Sequence, residues 1–199
     1  MTNLKKETWG KLGLEFVSIV LGIFLALLAN QWYEGKRNRD MGREALVHIR
    51  EEIRANKREV ERVLPQLEAT QSLLNAYTGT EGKSMFAIVG EMSQRMDSGF
   101  QTPILQHGSW DSAQSTGLVK YIDYGIVREL SATASRENLV AKRSDRLLSL
   151  VYNPEVADPA KTPGLLITAR LLGSDNIQTL KRLARDYDRN LTLIAKELD

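Results

Sequence analysis

Residues 16–33 read FVSIVLGIFLALLANQWY and carry no charge, whereas beyond them apolar positions recur every three or four residues between charged ones. The first pattern predicts a helix crossing a bilayer, which needs about 17–25 mainly apolar residues. The strictly apolar part, residues 16–29, is short and reaches spanning length only with its flanks. Trp9 precedes it, and Trp32 and Tyr33 follow it. On a helix Trp9 and Trp32 stand roughly 34 Å apart, the spacing of the two aromatic belts at the headgroup levels. The predicted span is 14–33, after a short basic flank over 1–13. A cleaved signal fits less well, because the best cleavage site, after Ala29, has Leu27 where a small residue is wanted. A buried core helix is disfavoured by the charges on both sides of the run.

Within the span Ser18, Gly22, Ala26 and Asn30 recur every fourth residue and share one face. Small residues at this spacing let two helix backbones approach closely in lipid, and Ser or Asn can hydrogen-bond across the contact. These four residues are the expected oligomer interface.

Past the membrane, Leu46, Ile49, Ile53, Asn56, Val60, Val63, Leu67, Thr70, Leu74 and Tyr77 step by three and four, a heptad seam over a helix predicted at 42–78. Nothing stronger than Gly35 and Gly42 separates it from the span, so one helix is expected to leave the membrane and enter the domain. Pro65 is expected to kink or restart it, and Gly79 and Gly82 to end it. A short helix is predicted at 84–98. Another is predicted at 109–116, with Ser109 as N-cap and Gly117 as stop. Long helices are predicted at 123–152 and at 174–198, the latter capped by Ser174. A short helix at 163–172 begins with Thr162 as N-cap and Pro163 at its first position. The fold class is all-α: an N-terminal transmembrane helix continuing into an antiparallel helical bundle over 34–199.

Charge refines the picture. The 27 Lys and Arg against 25 Asp and Glu give a net charge of +2 with the signs interspersed, which argues against a nucleic-acid partner. The local excess at Lys36, Arg37, Arg39 and Arg43 follows the span directly and suits anionic headgroups. Headgroup contact is therefore assigned to Trp9, Trp32, Tyr33, Lys36, Arg37 and Arg39. Lys5, Lys6 and Lys11 nearly balance that excess on the other side. A short basic N-terminus favours the domain being translocated, and the basic run after the span argues the other way. A periplasmic domain is the reading adopted.

Candidate chemistry is sparse. The chain has no cysteine and two histidines, His48 and His107, far apart in sequence. No metal, nucleotide or nucleophile motif occurs. Glu51 and Glu52 are adjacent on a helix and read as a solvated face. No cofactor, metal ligand or catalytic residue is expected. The densest unusual stretch is His107 to Tyr124, where Trp110, Ala113 and Gly117 share a helix face. Trp110 there reads either as a core anchor or as a ligand-facing ring flanked by His107 and Asp111.

Leu14-Glu15-Phe16, the run Ile19-Val20-Leu21-Gly22-Ile23-Phe24-Leu25-Ala26-Leu27, Asn30 and Trp32, and later SWDSAQSTGLV, YIDY and VREL, together resemble a family of uncharacterised bacterial single-span membrane proteins. Those have an N-terminal transmembrane helix, a helical C-terminal domain and a Trp-x-x-Ala-x-x-x-Gly segment, here Trp110, Ala113 and Gly117. The resemblance implies attachment to a bacterial membrane and implies no activity, cofactor or catalytic residue; the cytoplasmic membrane is the one expected. The expected function is a non-enzymatic, membrane-anchored assembly or interaction module that self-associates through its membrane helix. Its partners are the lipid bilayer, further copies of itself, and an unidentified membrane or periplasmic protein. The alternatives are a membrane-tethered sensor binding a small ligand near Trp110 and a pore-forming homo-oligomer. The dozen residues before the span are too few for an output domain, so a sensor would need a separate partner to carry its signal.

Overall fold

The computed structural model describes residues 3–95 and 101–199, with side chains from Glu15 onward apart from Val151. Five α-helices form and, among the described residues, no strand. They are α1 (Asn3–Ala76), α2 (Met85–Ser93), α3 (Gly108–Ser115), α4 (Tyr124–Val151) and α5 (Thr162–Leu198). Short 3-10 turns occupy Leu118–Tyr121, Pro154–Ala157 and Pro159–Lys161.

The 74 residues of α1 form one helix, so the apolar run and the heptad seam belong to a single element. Pro65 lies inside α1 without ending it. Proline deletes one backbone donor from a helix interior. Val60 and Val63 before it and Leu74 after it are buried against the rest of the chain, and that packing holds both sides in register.

Cross-helix pairs fix the directions. Arg43 donates to the carbonyls of Glu197 and Leu198, Lys57 pairs with Asp188, and Lys181 with Glu68, so α5 runs antiparallel to α1. Arg189 pairs with Glu129 and Arg143 with Asp175, so α4 is antiparallel to α5. The segment 101–121 returns along α1: Gln101 meets Arg62, Gln106 meets Asn56, and Ser109 meets Glu52. At its end the Tyr121 carbonyl lies where a Cβ on Gly42 would stand 2.6 Å away, so only glycine admits the approach.

Val60, Leu180, Leu183, Tyr187 and Ile194 are completely buried in the core. Each large apolar side chain removed from water contributes about 1.5–3 kcal/mol. A second apolar cluster, with Leu74, Met85, Ile88, Met92, Val156 and Leu166, closes the far end.

Several boundaries differ from expectation. The helices expected at 163–172 and 174–198 are one 37-residue helix, α5. Gly173 lies inside it, at a close approach where the Gln71 side chain packs at the place a Cβ would take; Ser174 is helical and caps nothing. Thr162 is the first helical residue, not the cap, and its hydroxyl donates to the Lys83 carbonyl instead. The helix expected at 84–98 ends at Ser93, and residues 96–98 lie outside the described residues. The long helix expected at 123–152 is α4, with Asp123 accepting from the Gly125 and Ile126 N–H groups as its cap.

Candidate functional site

Three features of the described residues bear on function: the exposed apolar half of α1, a polar cleft beside α3, and an apolar cavity at the far end of the domain.

Every residue from Glu15 to Glu34 is exposed, and one helix, α1, is long and apolar enough to cross a membrane. The four expected interface residues stand on one uncovered face, and a Cβ on Gly22 would meet nothing within 4 Å. Asn30 is partly engaged: its amide donates to Glu34 one turn on, at 3.1 Å. Trp32 and Tyr33 are exposed, and the Trp9 side chain lies outside the described residues. Lys36, Arg37 and Arg39 stand free of the domain, with Arg39 donating to the Gly35 carbonyl at 3.3 Å. Arg43 belongs to the domain instead, where its guanidinium caps the last carbonyls of α5. A cation there also meets the negative end of the helix dipole.

The seam from Leu46 to Tyr77 is spent inside one chain. Leu46, Ile49, Ile53, Asn56, Val60 and Val63 are all buried, chiefly against α5 and segment 101–121. The apolar side that a coiled coil between copies would use is thus covered within the chain from Leu46 to Val63.

Beside α3, His107, Trp110 and Asp111 line one polar cleft of about 250 Å³ with Gln114, Ser131, Ala134, Ser135 and Asn138. Within it Trp110 is only 6 % exposed and packs in the main core with Ala113, so its ring acts as the anchor of α3. Ser109 does not cap α3. The Glu52 carboxylate of α1 does so, accepting from the Ser109 N–H at 2.6 Å and the Trp110 N–H at 3.3 Å. A carboxylate at a helix N-terminus meets unpaired donors and the positive end of the dipole. Glu52 is therefore an inter-element cap and not part of a solvated face, while Glu51 is exposed.

Behind the cleft lies a buried polar network that the sequence did not announce. Asn56 accepts from the Gln106 N–H and donates to the Gln106 carbonyl, both at 2.8 Å, and also donates to Glu137 at 3.0 Å. The Tyr187 hydroxyl donates to the same Glu137 oxygen at 2.6 Å, and His107 Nδ1 lies 3.3 Å from the other. Burial pushes the Glu137 carboxyl above its usual range, against the pull of Tyr187, His107 and Asn56. Burial, with Glu137 beside it, likewise drives the Tyr187 phenol up, so it stays a neutral donor. The folded state thus keeps the Glu137 proton to higher pH than the unfolded chain. Its contribution to stability is complete below the ordinary value of 4.5 and is lost as pH climbs through the raised folded value. Glu137→Gln keeps an acceptor for Tyr187 and Asn56 without the charge. Denaturation of both proteins across pH 4–8 should show wild type losing stability relative to the variant as pH rises. Parallel curves would mean that Glu137 titrates normally.

At the far end, α1, α2, α4 and α5, with residues 101–102 and Val156, line an apolar cavity of about 130 Å³. Leu67, Leu74, Met85, Met92, Leu147 and Ile177 form much of its wall. Its lining comes from four helices and two connecting segments spread over more than a hundred positions, so no local motif could have marked it. Among the described residues no group of His, Asp and Glu side chains could hold a metal ion.

No family model, no curated protein and no solved structure matches the chain.

Proposed function

We propose that this protein is a non-enzymatic, membrane-anchored helical interaction module of the bacterial cytoplasmic membrane, single-pass, with its domain on the periplasmic side. The observation that carries the reading is the continuity of α1. Its apolar half is wholly exposed, and its other half builds the core of the domain in the same helix. Such a helix leaves no flexible linker between the span and the domain. Any rotation or association of the span is passed directly to α5 and through it to α4.

The reading includes self-association through Ser18, Gly22 and Ala26, with Asn30 at the edge of the contact. Two facts support it: the face is uncovered, and the juxtamembrane seam offers no alternative surface. The module then brings copies of its domain together, or presents them to a membrane or periplasmic protein. Small-ligand sensing at His107, Trp110 and Asp111 is the weaker reading, since Trp110 is packed in the core.

Cross-linking in isolated membranes tests the proposal. Wild type should give a dimer or higher species in the membrane fraction. Gly22→Ile should reduce that species about tenfold, because a branched side chain separates the two backbones. The same oligomer from both proteins would remove the stripe as the interface, and wild type absent from the membrane fraction would remove the anchor.

A further inference from the structure

The apolar cavity at the far end of the domain is the feature that the proposed function leaves unused. Its volume, about 130 Å³, is close to that of engineered apolar cavities of about 150 Å³ that stay dry and bind benzene. Its wall is almost entirely apolar, and two of its side chains, Met85 and Met92, are of the kind that adapts to irregular shapes. Phe86 and Leu148, which also line it, are exposed by 71 % and 41 %. The cavity therefore opens to the surface beside large apolar groups.

One polar side chain in the wall is fully buried. Asn176 on α5 is 1 % exposed, and its Oδ1 accepts no hydrogen bond. A buried acceptor left unpaired costs about 1–3 kcal/mol, so native structures rarely keep one without cause. A donor arriving with a ligand would recover that cost. An apolar pocket with few placed polar groups is the usual form of a small-molecule site.

We infer that this cavity binds a small apolar molecule of about benzene size that carries one hydroxyl, the chemical class of phenols, with the hydroxyl donating to Asn176 Oδ1. The inference goes beyond the proposed function and does not depend on it. The cavity wall begins at Leu67, and along α1 this is roughly 50 Å from Tyr33 at the end of the apolar run. The site is thus reached from the aqueous side and not by lipid tails.

The test uses the full chain in lipid nanodiscs, with 4-fluorophenol and fluorobenzene as probes followed by fluorine NMR, and empty nanodiscs as the blank. 4-Fluorophenol should bind saturably above the blank and about tenfold more tightly than fluorobenzene, a difference of about 1.4 kcal/mol. Asn176→Ala, which removes the amide without adding bulk to the wall, should abolish that preference while leaving fluorobenzene binding in place. Two plugs, Ala169→Phe within the wall and Leu148→Trp at the mouth, should each remove binding of both probes. Leu148 is partly exposed, so its variant retains the fold if the wall variant does not, and circular dichroism checks both. Signals equal to the blank would overturn the inference. Binding that survives the mouth plug would place the probe elsewhere and overturn the site. A preference unchanged in Asn176→Ala would overturn the role of Asn176.

Discussion

Asn56→Leu should lower the unfolding free energy of the full chain by about 2–4 kcal/mol, because leucine keeps the branched outline of asparagine but is bulkier and makes no hydrogen bond. Asn56 is 2 % exposed and makes three hydrogen bonds, two to the Gln106 backbone and one to Glu137. Leucine makes none of them. Gln106 is at the surface and recovers part of its loss through water. Glu137 is buried and keeps only the Tyr187 hydroxyl and His107, so the loss of a hydrogen bond to a carboxylate, about 1.5–3 kcal/mol, falls mainly there. Asn56→Asp sharpens the test. It still accepts from the Gln106 N–H, but it sets a second carboxylate beside Glu137 and against the Gln106 carbonyl. It should therefore be the more damaging change at neutral pH and recover toward acid, where one of the two acids is protonated. Urea denaturation in nanodiscs, followed by helical circular dichroism, reads all three proteins. A leucine variant within about 0.5 kcal/mol of wild type would show that the segment 101–107 is held by something other than Asn56.

The same residue shows how far the sequence could be read. Asn56 broke an apolar seam, and a polar residue at a seam position is often a register device between chains. The structure turns it inward instead, to pin an irregular stretch of its own chain. The periodicity of 46–77 correctly marked which face is buried, because burial follows from alternation of apolar and charged positions alone. It could not say what covers that face. The covering surfaces, α5 and segment 101–121, lie dozens of residues away, and nothing local encodes them.

Glycine and serine misled for a related reason. Gly173 and Ser174 carry the local signature of a helix stop and a new cap. In the folded chain Gly173 marks a close approach of α5 to the Gln71 side chain. Packing of the flanking residues Ala169, Ile177 and Leu180 offsets the helix penalty of about 1 kcal/mol. Glu52 was hidden by the same limit, since its partners on α3 are more than fifty residues away. His107, Trp110 and Asp111 came together as expected because they are nearly consecutive. The apolar cavity was invisible because segments far apart in the chain build it.

The substitution pair Leu21→Arg with Leu25→Arg should release the protein from the membrane with its domain intact. On insertion scales, leucine at the centre of a span contributes about −0.3 to −0.6 kcal/mol and arginine costs about 2.5 to 3.5. Each exchange therefore shifts insertion by roughly 3–4 kcal/mol, and the pair by roughly 6–8. Leu21 and Leu25 are one turn apart and exposed by 55 % and 56 %, so neither supports the domain. The domain core begins only near Ala45 and Leu46. Wild type should stay in the pellet after alkaline carbonate extraction, as should a Leu21→Ala with Leu25→Ala control, since alanine adds no charge. The arginine variant should move to the supernatant, and its thermal unfolding should match that of wild type. Full-length wild type in the supernatant would refute the anchor. A released wild type lacking its first 29 residues by intact mass would instead identify the run as a signal removed at Ala29. Joint loss of membrane retention and of folding in the arginine variant would show that the two halves of α1 are coupled more tightly than the exposed surface of residues 15–34 indicates.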